Sequence, residues 1–102
     1  MQLGHAGRKA STLAPWVANP MGQGSAKADE SQGGWPTDVV GPSGGSDFVW
    51  DGKSSQDPEG GYWKPREMSI GEISDLVKSF AKAAERAVSA GVDVLEIHVA
   101  HD

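Results

Sequence analysis

The chain has 102 residues, and its 14 acidic and 9 basic side chains give a formal net charge of −5. It has no basic block or stripe, which argues against nucleic acid or a membrane surface as the main partner. It has no cysteine, which excludes disulfides and cysteine-ligated zinc. No stretch approaches the roughly 18 apolar residues of a membrane span, and the N-terminus lacks the apolar run of a signal peptide. We therefore expect a soluble, cytoplasmic protein.

The first two thirds of the chain carry weak structural signals. Residues 1–10 are predicted as a short strand, although Gly4 and Gly7 dilute its alternation. Residues 11–66 show no helical periodicity and contain glycine and proline throughout. We predict a long irregular loop or capping region there, far longer than the usual connection of about 4–6 residues.

A helix is predicted over residues 69–91. Ser69 and Glu72 have the spacing of a capping box, in which side chain and backbone satisfy each other at a helix start. Gly91 can adopt the left-handed conformation that closes a helix. The apolar residues between these ends recur at spacings of three and four and form one stripe: Ile73, Leu76, Val77, Phe80, Ala84, Ala87 and Val88.

A strand is predicted over residues 92–101, directly after the helix. Leu95, Ile97 and Val99 share one face, which we expect to pack on the helix, while Glu96 and His98 lie on the other. A helix followed by a strand that is buried on both faces indicates the second half of a parallel βαβ unit. Because two strands and one helix cannot close a sheet, we expect an α/β piece of a larger fold.

The two histidines at the end of this strand, His98 and His101, leave three interpretations open. They could ligate a metal, although no third ligand is obvious and we predict none. They could be a purely structural pair. They could also donate hydrogen bonds to a developing oxyanion at the C-terminal end of a barrel strand, where active sites of such barrels collect.

Four motifs in the same order resemble old yellow enzyme-family flavin oxidoreductases. Residues 2–10, QLGHAGRKA, and residues 94–101, VLEIHVAH, resemble the third and fourth strands of that barrel. Residues 33–43, GGWPTDVVGPS, and residues 64–69, KPREMS, resemble segments between them. The similarity is greatest to the bacterial and fungal branch that has two histidines.

The resemblance implies a fold and a chemistry. The chain would be a fragment of a (β/α)8 TIM barrel, with about strands three and four, the long loop and one helix. FMN, reduced by NADH or NADPH, would pass hydride to an electron-poor alkene, a small-molecule substrate. Gln2 would bind the flavin ring, His98 and His101 would hold the substrate oxygen, and Lys9 would lie near the entrance for substrate or nicotinamide. Glu96 needs a partner, and we expect an ion pair with Arg8.

Several parts of the family pattern are absent from the sequence. The proton-donating tyrosine beyond the fourth strand and the phosphate-binding loops are missing, and Asp102 stands where the family has glycine. We therefore assign no catalytic residue and expect the chain by itself to be inactive. The alternative is a small non-catalytic interaction module, or a degraded paralogue, derived from that barrel. The sequence leaves oligomerisation open.

Overall fold

A computed structural model of the chain describes residues 1–18, 26–44 and 61–99. The architecture is α/β, and the chain forms two compact units. The first comprises Met1–Ala6 and the described part of Met68–Asp102, and the second is the described part of Gly7–Glu67. The helices and strands in chain order are β1 (Gln2–Leu3), α1 (Pro15–Ala18), β2 (Val40–Gly41), β3 (Arg66–Glu67), α2 (Ile70–Ser89) and β4 (Glu96–Ile97).

The first unit is organised by the pairing of β1 with β4, which are parallel. Gln2 is the partner of Glu96, and Leu3 is the partner of Ile97. The backbone N–H of Glu96 donates to the carbonyl of Met1 at 2.9 Å. With α2 between them in sequence, the two strands form the predicted parallel strand–helix–strand arrangement. Both strands are much shorter than the predicted ranges 1–10 and 92–101, and their numbering as the third and fourth barrel strands stays a prediction.

Helix α2 confirms the helix prediction, including its two ends. The backbone N–H of Ser69 donates to the Glu72 carboxylate at 2.8 Å, and the backbone N–H of Glu72 donates to Ser69 Oγ at 3.2 Å. At the other end Gly91 has φ = 86°. Its N–H donates to the Val88 carbonyl at 2.9 Å, and the next N–H donates to the Ala87 carbonyl at 3.2 Å, which is the Schellman arrangement.

The apolar stripe of α2 is only partly covered. Ala87 is 2% exposed, and Leu76 and Phe80 are half-buried, whereas Val77 is exposed. Strand β1 lies against the helix on this side. Two very short strands and one helix have too little facing surface to bury a whole aliphatic stripe.

The prediction that the last strand is buried on both faces is wrong for the described residues. Ile97 is 56% exposed and Val99 is 87% exposed, and only Leu95 on that face is half-buried. The expected packing of all three side chains on the helix therefore does not occur. The physical reason is that β4 has one neighbouring strand, β1, and a sheet of this width leaves apolar side chains at its margin in water.

The second unit shows that the predicted irregular region contains ordered structure. Strands β2 and β3 are parallel, with Val40 paired to Arg66 and Gly41 to Glu67. The backbone around Thr12 forms an antiparallel bridge with Lys27. The segment also contains α1 and one turn of 3₁₀ helix at Glu30–Gln32. The described residues of this region therefore include short ordered elements, because contacts distant in sequence create elements that local periodicity does not reveal.

The short turn at Glu30–Gln32 begins with a capping box of its own. The Asp29 carboxylate accepts from Ser31 Oγ at 2.6 Å and from the Gln32 N–H at 3.1 Å. The hydrogen bond from Ser31, with further backbone hydrogen bonds, lowers the pKa of Asp29 below its ordinary value. The ionised Asp29 carboxylate thus contributes to the free energy of unfolding above the ordinary aspartate pKa. This contribution is lost as the pH falls through the lowered pKa of Asp29.

The centre of the second unit is a buried polar contact between Ser11 and Ala28. Ser11 is 3% exposed and has φ = 57°, a left-handed conformation that is uncommon for a residue other than glycine. Its Oγ donates to the Ala28 carbonyl at 2.9 Å and accepts from the Trp35 N–H at 2.8 Å. The indole of Trp63 donates to the same Ala28 carbonyl at 3.0 Å. These hydrogen bonds offset the cost of the left-handed backbone.

Within the described part of the chain, no helix is both long and apolar enough to cross a lipid bilayer. The cytoplasmic location inferred from the sequence stays a prediction.

Removing the N-terminal cap of α2 should weaken the first unit. We expect Ser69→Ala to lower its stability by about 1 kcal/mol, because the backbone N–H of Glu72 loses the hydroxyl that accepts from it. The matched control is Ser74→Ala, at an exposed interior position of α2, which should change stability by less than about 0.5 kcal/mol. Circular dichroism at 222 nm during urea unfolding measures both. Equal losses in the two variants would contradict the capping assignment.

A side chain at Gly34 should disrupt the second unit. A Cβ atom there would lie 2.0 Å from the Ala28 carbonyl oxygen and 2.7 Å from Ser11 Oγ. We expect Gly34→Ala to cost roughly 2–3 kcal/mol, because backbone must move to admit it. Tryptophan fluorescence during urea unfolding is the measurement, since the three described tryptophans, Trp16, Trp35 and Trp63, belong to this unit.

The control for that substitution is Gly41→Ala in the same unit. A Cβ atom at Gly41 would meet its nearest neighbours at 3.4 Å and 3.8 Å, which is ordinary contact. This variant should lose less than about 1 kcal/mol. A Gly34→Ala protein as stable as Gly41→Ala would show that the close approach of Gly34 to Ala28 is not required.

Candidate functional site

Gln2 and Glu96 form the best-defined polar contact of the first unit. They are direct partners in the parallel register, and Gln2 Nε2 donates to Glu96 Oε1 at 3.0 Å. Both side chains are exposed. The residue after Gln2, Leu3, points to the helix side of the sheet, so Gln2 and Glu96 lie on the opposite face. This face, defined by Gln2, Gly4, Glu96 and His98, is called the polar face below.

His98 extends the polar face beyond the end of β4. It lies two positions after Glu96, so its side chain leaves the same side of the strand. Its backbone N–H donates to the Leu3 carbonyl at 2.8 Å, which fixes the position of the residue. A Cβ atom added to Gly4 would lie 3.6 Å from the Cβ of His98. Gly4 therefore leaves room beside His98 that a side chain would reduce.

Gln2 and His98, two of the four predicted site residues, lie on one face of the sheet. Lys9 ends a turn of 3₁₀ helix, Gly7–Lys9, in the second unit and is half-buried. His101 lies outside the described residues. Among the described residues no group of three or more histidine, aspartate or glutamate side chains is placed to hold a metal ion.

Glu96 has a hydrogen-bond partner within the first unit. It accepts from Gln2, and Arg8, in the second unit, donates to the carbonyl of Ser43 at 3.2 Å. The predicted ion pair between Arg8 and Glu96 stays a prediction. The sequence did contain a signal for the Gln2 contact. Gln2 lies two residues before Gly4 and Glu96 two before His98, so a parallel register that aligns Gly4 with His98 also aligns Gln2 with Glu96.

The helix side of the same sheet contains a shallow apolar recess. Its volume is ≈ 180 Å³. Its lining comes from β1, the two residues after it and one side of α2: Leu3, Gly4, His5, Leu76, Ser79, Phe80 and Ala83. His5 thus points away from the polar face, by the same alternation that separates Leu3 from Gln2. The two faces of β1 have different chemistry, one apolar and one hydrogen-bonding.

The polar face offers specific hydrogen-bonding groups. The Gln2 carboxamide has two N–H donors and one acceptor oxygen, and one donor is used by Glu96. An imidazole can donate to a carbonyl or to a developing oxyanion. The C-terminal ends of parallel strands are where such groups collect in α/β barrels. The arrangement can bind a planar group with alternating donors and acceptors beside a second, oxygen-containing group.

Comparison with known proteins assigns the chain to a family. The sequence model described as NADH:flavin oxidoreductase / NADH oxidase family matches residues 2–102. An NADH:flavin oxidoreductase of Gibberella zeae is 38% identical over 101 residues, which are 99% of this chain and 21% of that protein. An NADPH dehydrogenase of Listeria welshimeri is 34% identical over 101 residues, which are 99% of this chain and 20% of that protein.

A plant protein matches a shorter stretch. The 12-oxophytodienoate reductase 7 of Oryza sativa subsp. japonica is 45% identical over 42 residues, 41% of this chain and 11% of that protein. The chain spans about a fifth of the length of the two relatives that match nearly all of it. These similarities confirm the resemblance to the old yellow enzyme family that the four sequence motifs indicate. The chain belongs to the NADH:flavin oxidoreductase / NADH oxidase family, a family of TIM-barrel proteins that use FMN and a nicotinamide cofactor.

Proposed function

We propose that this chain forms part of the active site of an FMN-dependent NAD(P)H oxidoreductase that reduces activated alkenes, such as enones. The observation that supports this most strongly is the parallel pairing of β1 with β4. It places Gln2 and His98, from the first and last of the four sequence motifs, on one face of one sheet. Membership of the flavin oxidoreductase family is the reason to assign flavin and substrate to this face.

The groups on the polar face fit the edge of a flavin ring. The pyrimidine part of the isoalloxazine presents alternating N–H and C=O groups, and the exposed Gln2 carboxamide offers both an acceptor and a donor to match them. Gly4 keeps the space next to His98 open, since its Cβ would lie 3.6 Å from that residue. FMN, when bound and reduced, supplies the hydride for the alkene.

His98 and His101 are the residues proposed to hold the substrate. An N–H donated to the carbonyl or nitro oxygen withdraws electrons from the conjugated alkene and stabilises the negative charge that develops on that oxygen. Two such donors also fix the direction in which the substrate lies. The backbone N–H of His98 donates to the Leu3 carbonyl, which fixes the backbone of His98 at the strand end and supports this proposed role. Lys9 is proposed to lie near the entrance for substrate or nicotinamide.

Residues 1–102 by themselves are not expected to bind FMN stoichiometrically. The proposed contacts lie on an exposed face of a two-stranded sheet, and ligand sites normally surround most of the surface of their ligand. We expect a titration of the purified chain with FMN to leave flavin absorbance and fluorescence nearly unchanged. Stoichiometric binding with a perturbed flavin spectrum would contradict this, and would show that the chain assembles a site by itself or as an oligomer.

The enzymatic proposal is tested by replacing the matched segment of the Gibberella zeae relative with residues 1–102. We expect this grafted protein to retain FMN and to oxidise NADPH or NADH in the presence of 2-cyclohexenone. His98→Ala and His101→Ala should each lower kcat/KM for the enone by about 100-fold, because each removes a donor to the oxyanion. Stopped-flow absorbance of the flavin separates the reduction by nicotinamide, which should change little, from the reaction with the enone.

The matched control is His5→Ala, which removes an imidazole from the helix side of the same sheet. It should keep kcat/KM within about threefold of the parent, provided FMN content is unchanged. If His98→Ala behaves like His5→Ala, the substrate-binding role is wrong. If the grafted protein takes up no FMN while the original relative does, the flavin proposal itself fails, and a non-catalytic interaction module becomes the better interpretation.

A further inference from the structure

We infer that Glu96 is a positioning residue, whose carboxylate fixes the orientation of the Gln2 carboxamide on the polar face. The flavin part of this inference rests on the proposed function, whereas the contact itself does not. The two side chains are direct partners across the parallel ladder, and their hydrogen bond of 3.0 Å joins residues 94 positions apart. Neither residue is buried, so the pair is accessible to a ligand.

A carboxamide needs such a partner because it is nearly symmetric in shape. Rotation by about 180° exchanges its oxygen and its NH₂ group with almost no change in volume. A carboxylate has only acceptor atoms, so it accepts from the NH₂ group and repels the oxygen. Glu96 therefore selects one of the two orientations of Gln2, and directs the amide oxygen and the second N–H away from itself.

Backbone hydrogen bonds hold the two residues at the distance this selection requires. The N–H of Glu96 donates to the Met1 carbonyl at 2.9 Å, and the N–H of His98 donates to the Leu3 carbonyl at 2.8 Å. These bonds lie on either side of Gln2 and fix its register against Glu96. Adjacent side chains on one face of such a ladder lie about 5 Å apart at Cβ, within reach of Gln and Glu together.

The contact is better suited to orientation than to stability. A hydrogen bond between exposed groups competes with water and adds little to the free energy of folding. The contact matters more for binding a ligand that presents a pattern of donors and acceptors. A Gln2 carboxamide in the wrong orientation would place its oxygen against a ligand oxygen and its N–H against a ligand N–H. The cost of a wrong orientation thus appears in ligand binding and leaves folding nearly unaffected.

The orientation is measured first in the 102-residue chain by NMR of the side-chain carboxamides. Glu96→Gln keeps the shape but can accept from or donate to Gln2, so the selection is lost. We expect the Nε2 proton signals of Gln2 to shift and their nuclear Overhauser contacts to residue 96 to weaken. Glu96→Ala should have the same effect. The Gln32 carboxamide, which accepts from the Asp29 N–H in the second unit, is the internal reference and should not change.

A matched control variant distinguishes the contact from a general loss of charge. Glu85→Gln removes an exposed carboxylate from α2, in the same unit, and should leave the Gln2 signals unchanged. Circular dichroism at 222 nm verifies that α2 is intact in each variant. Unchanged Gln2 signals in both Glu96→Gln and Glu96→Ala would overturn the inference, whatever the flavin does.

The flavin part is tested in the grafted protein by a double-mutant cycle on the FMN dissociation constant. Glu96→Gln should raise this constant by about 5- to 10-fold when residue 2 is Gln. It should have no further effect when Gln2 has been replaced by Ala, because Glu96 acts through Gln2. Equal effects in both backgrounds would overturn the positioning role and leave Glu96 with a separate structural one.

Exchanging the two side chains separates the positioning role from mere pairing. The double variant Gln2→Glu with Glu96→Gln preserves a carboxylate–carboxamide hydrogen bond but presents a carboxylate where the flavin edge would need a donor. We expect it to keep the stability of the parent and to bind FMN at least 10-fold more weakly. Parent-like FMN binding would overturn the inference. A grafted protein without any FMN would instead remove the proposed function, and NMR would still decide whether Glu96 orients Gln2.

Discussion

The parallel pairing of β1 with β4 is the interaction on which the first unit depends. It joins the beginning of the chain to residues more than 90 positions later. Closing so long a connection costs conformational entropy, which local contacts do not offset. Backbone hydrogen bonds from Glu96 and His98 supply the direct link. Helix α2 precedes β4 in sequence and provides an apolar side against which β1 lies.

That one register determines the chemistry of both faces of the sheet. Because side chains alternate along a strand, Gln2 and Glu96 must lie together on one side and Leu3 with Ile97 on the other. A shift by one residue would exchange the apolar and polar faces. The contact of Gln2 with Glu96 and the recess lined by Leu3 are therefore two consequences of the same pairing.

The second unit depends on polar contacts more than on an apolar core. Val39 and Ala28 are buried, but the convergence point is the Ala28 carbonyl, which accepts from Ser11 and from the Trp63 indole. Hydrogen bonds of this kind fix one arrangement of the backbone, because leaving a buried donor or acceptor unpaired costs more than the bond gains. A region rich in glycine can be ordered in this way without helical or strand periodicity.

The exposed aliphatic side chains of β4 have a related physical explanation. In an α/β barrel each strand has neighbours on both sides and helices outside, so a strand rich in Val, Ile and Leu is covered. The sheet described here has two strands, and Ile97 and Val99 remain largely in water. The exposed aliphatic side chains are consistent with the family assignment, because a two-stranded sheet lacks the further strands and helices that cover such side chains in a barrel.

The sequence by itself determined α2, its Ser69 cap, its closure at Gly91 and the family of the chain, because capping and periodicity act over a few neighbouring residues. Only the tertiary structure decided the partner of Glu96, the exposure of Val99 and the ordered contact around Ser11. The contacts of Ser11 and Glu96 join residues 17 and 94 positions apart. Their formation depends on which distant segments the backbone brings together, and no local pattern encodes that.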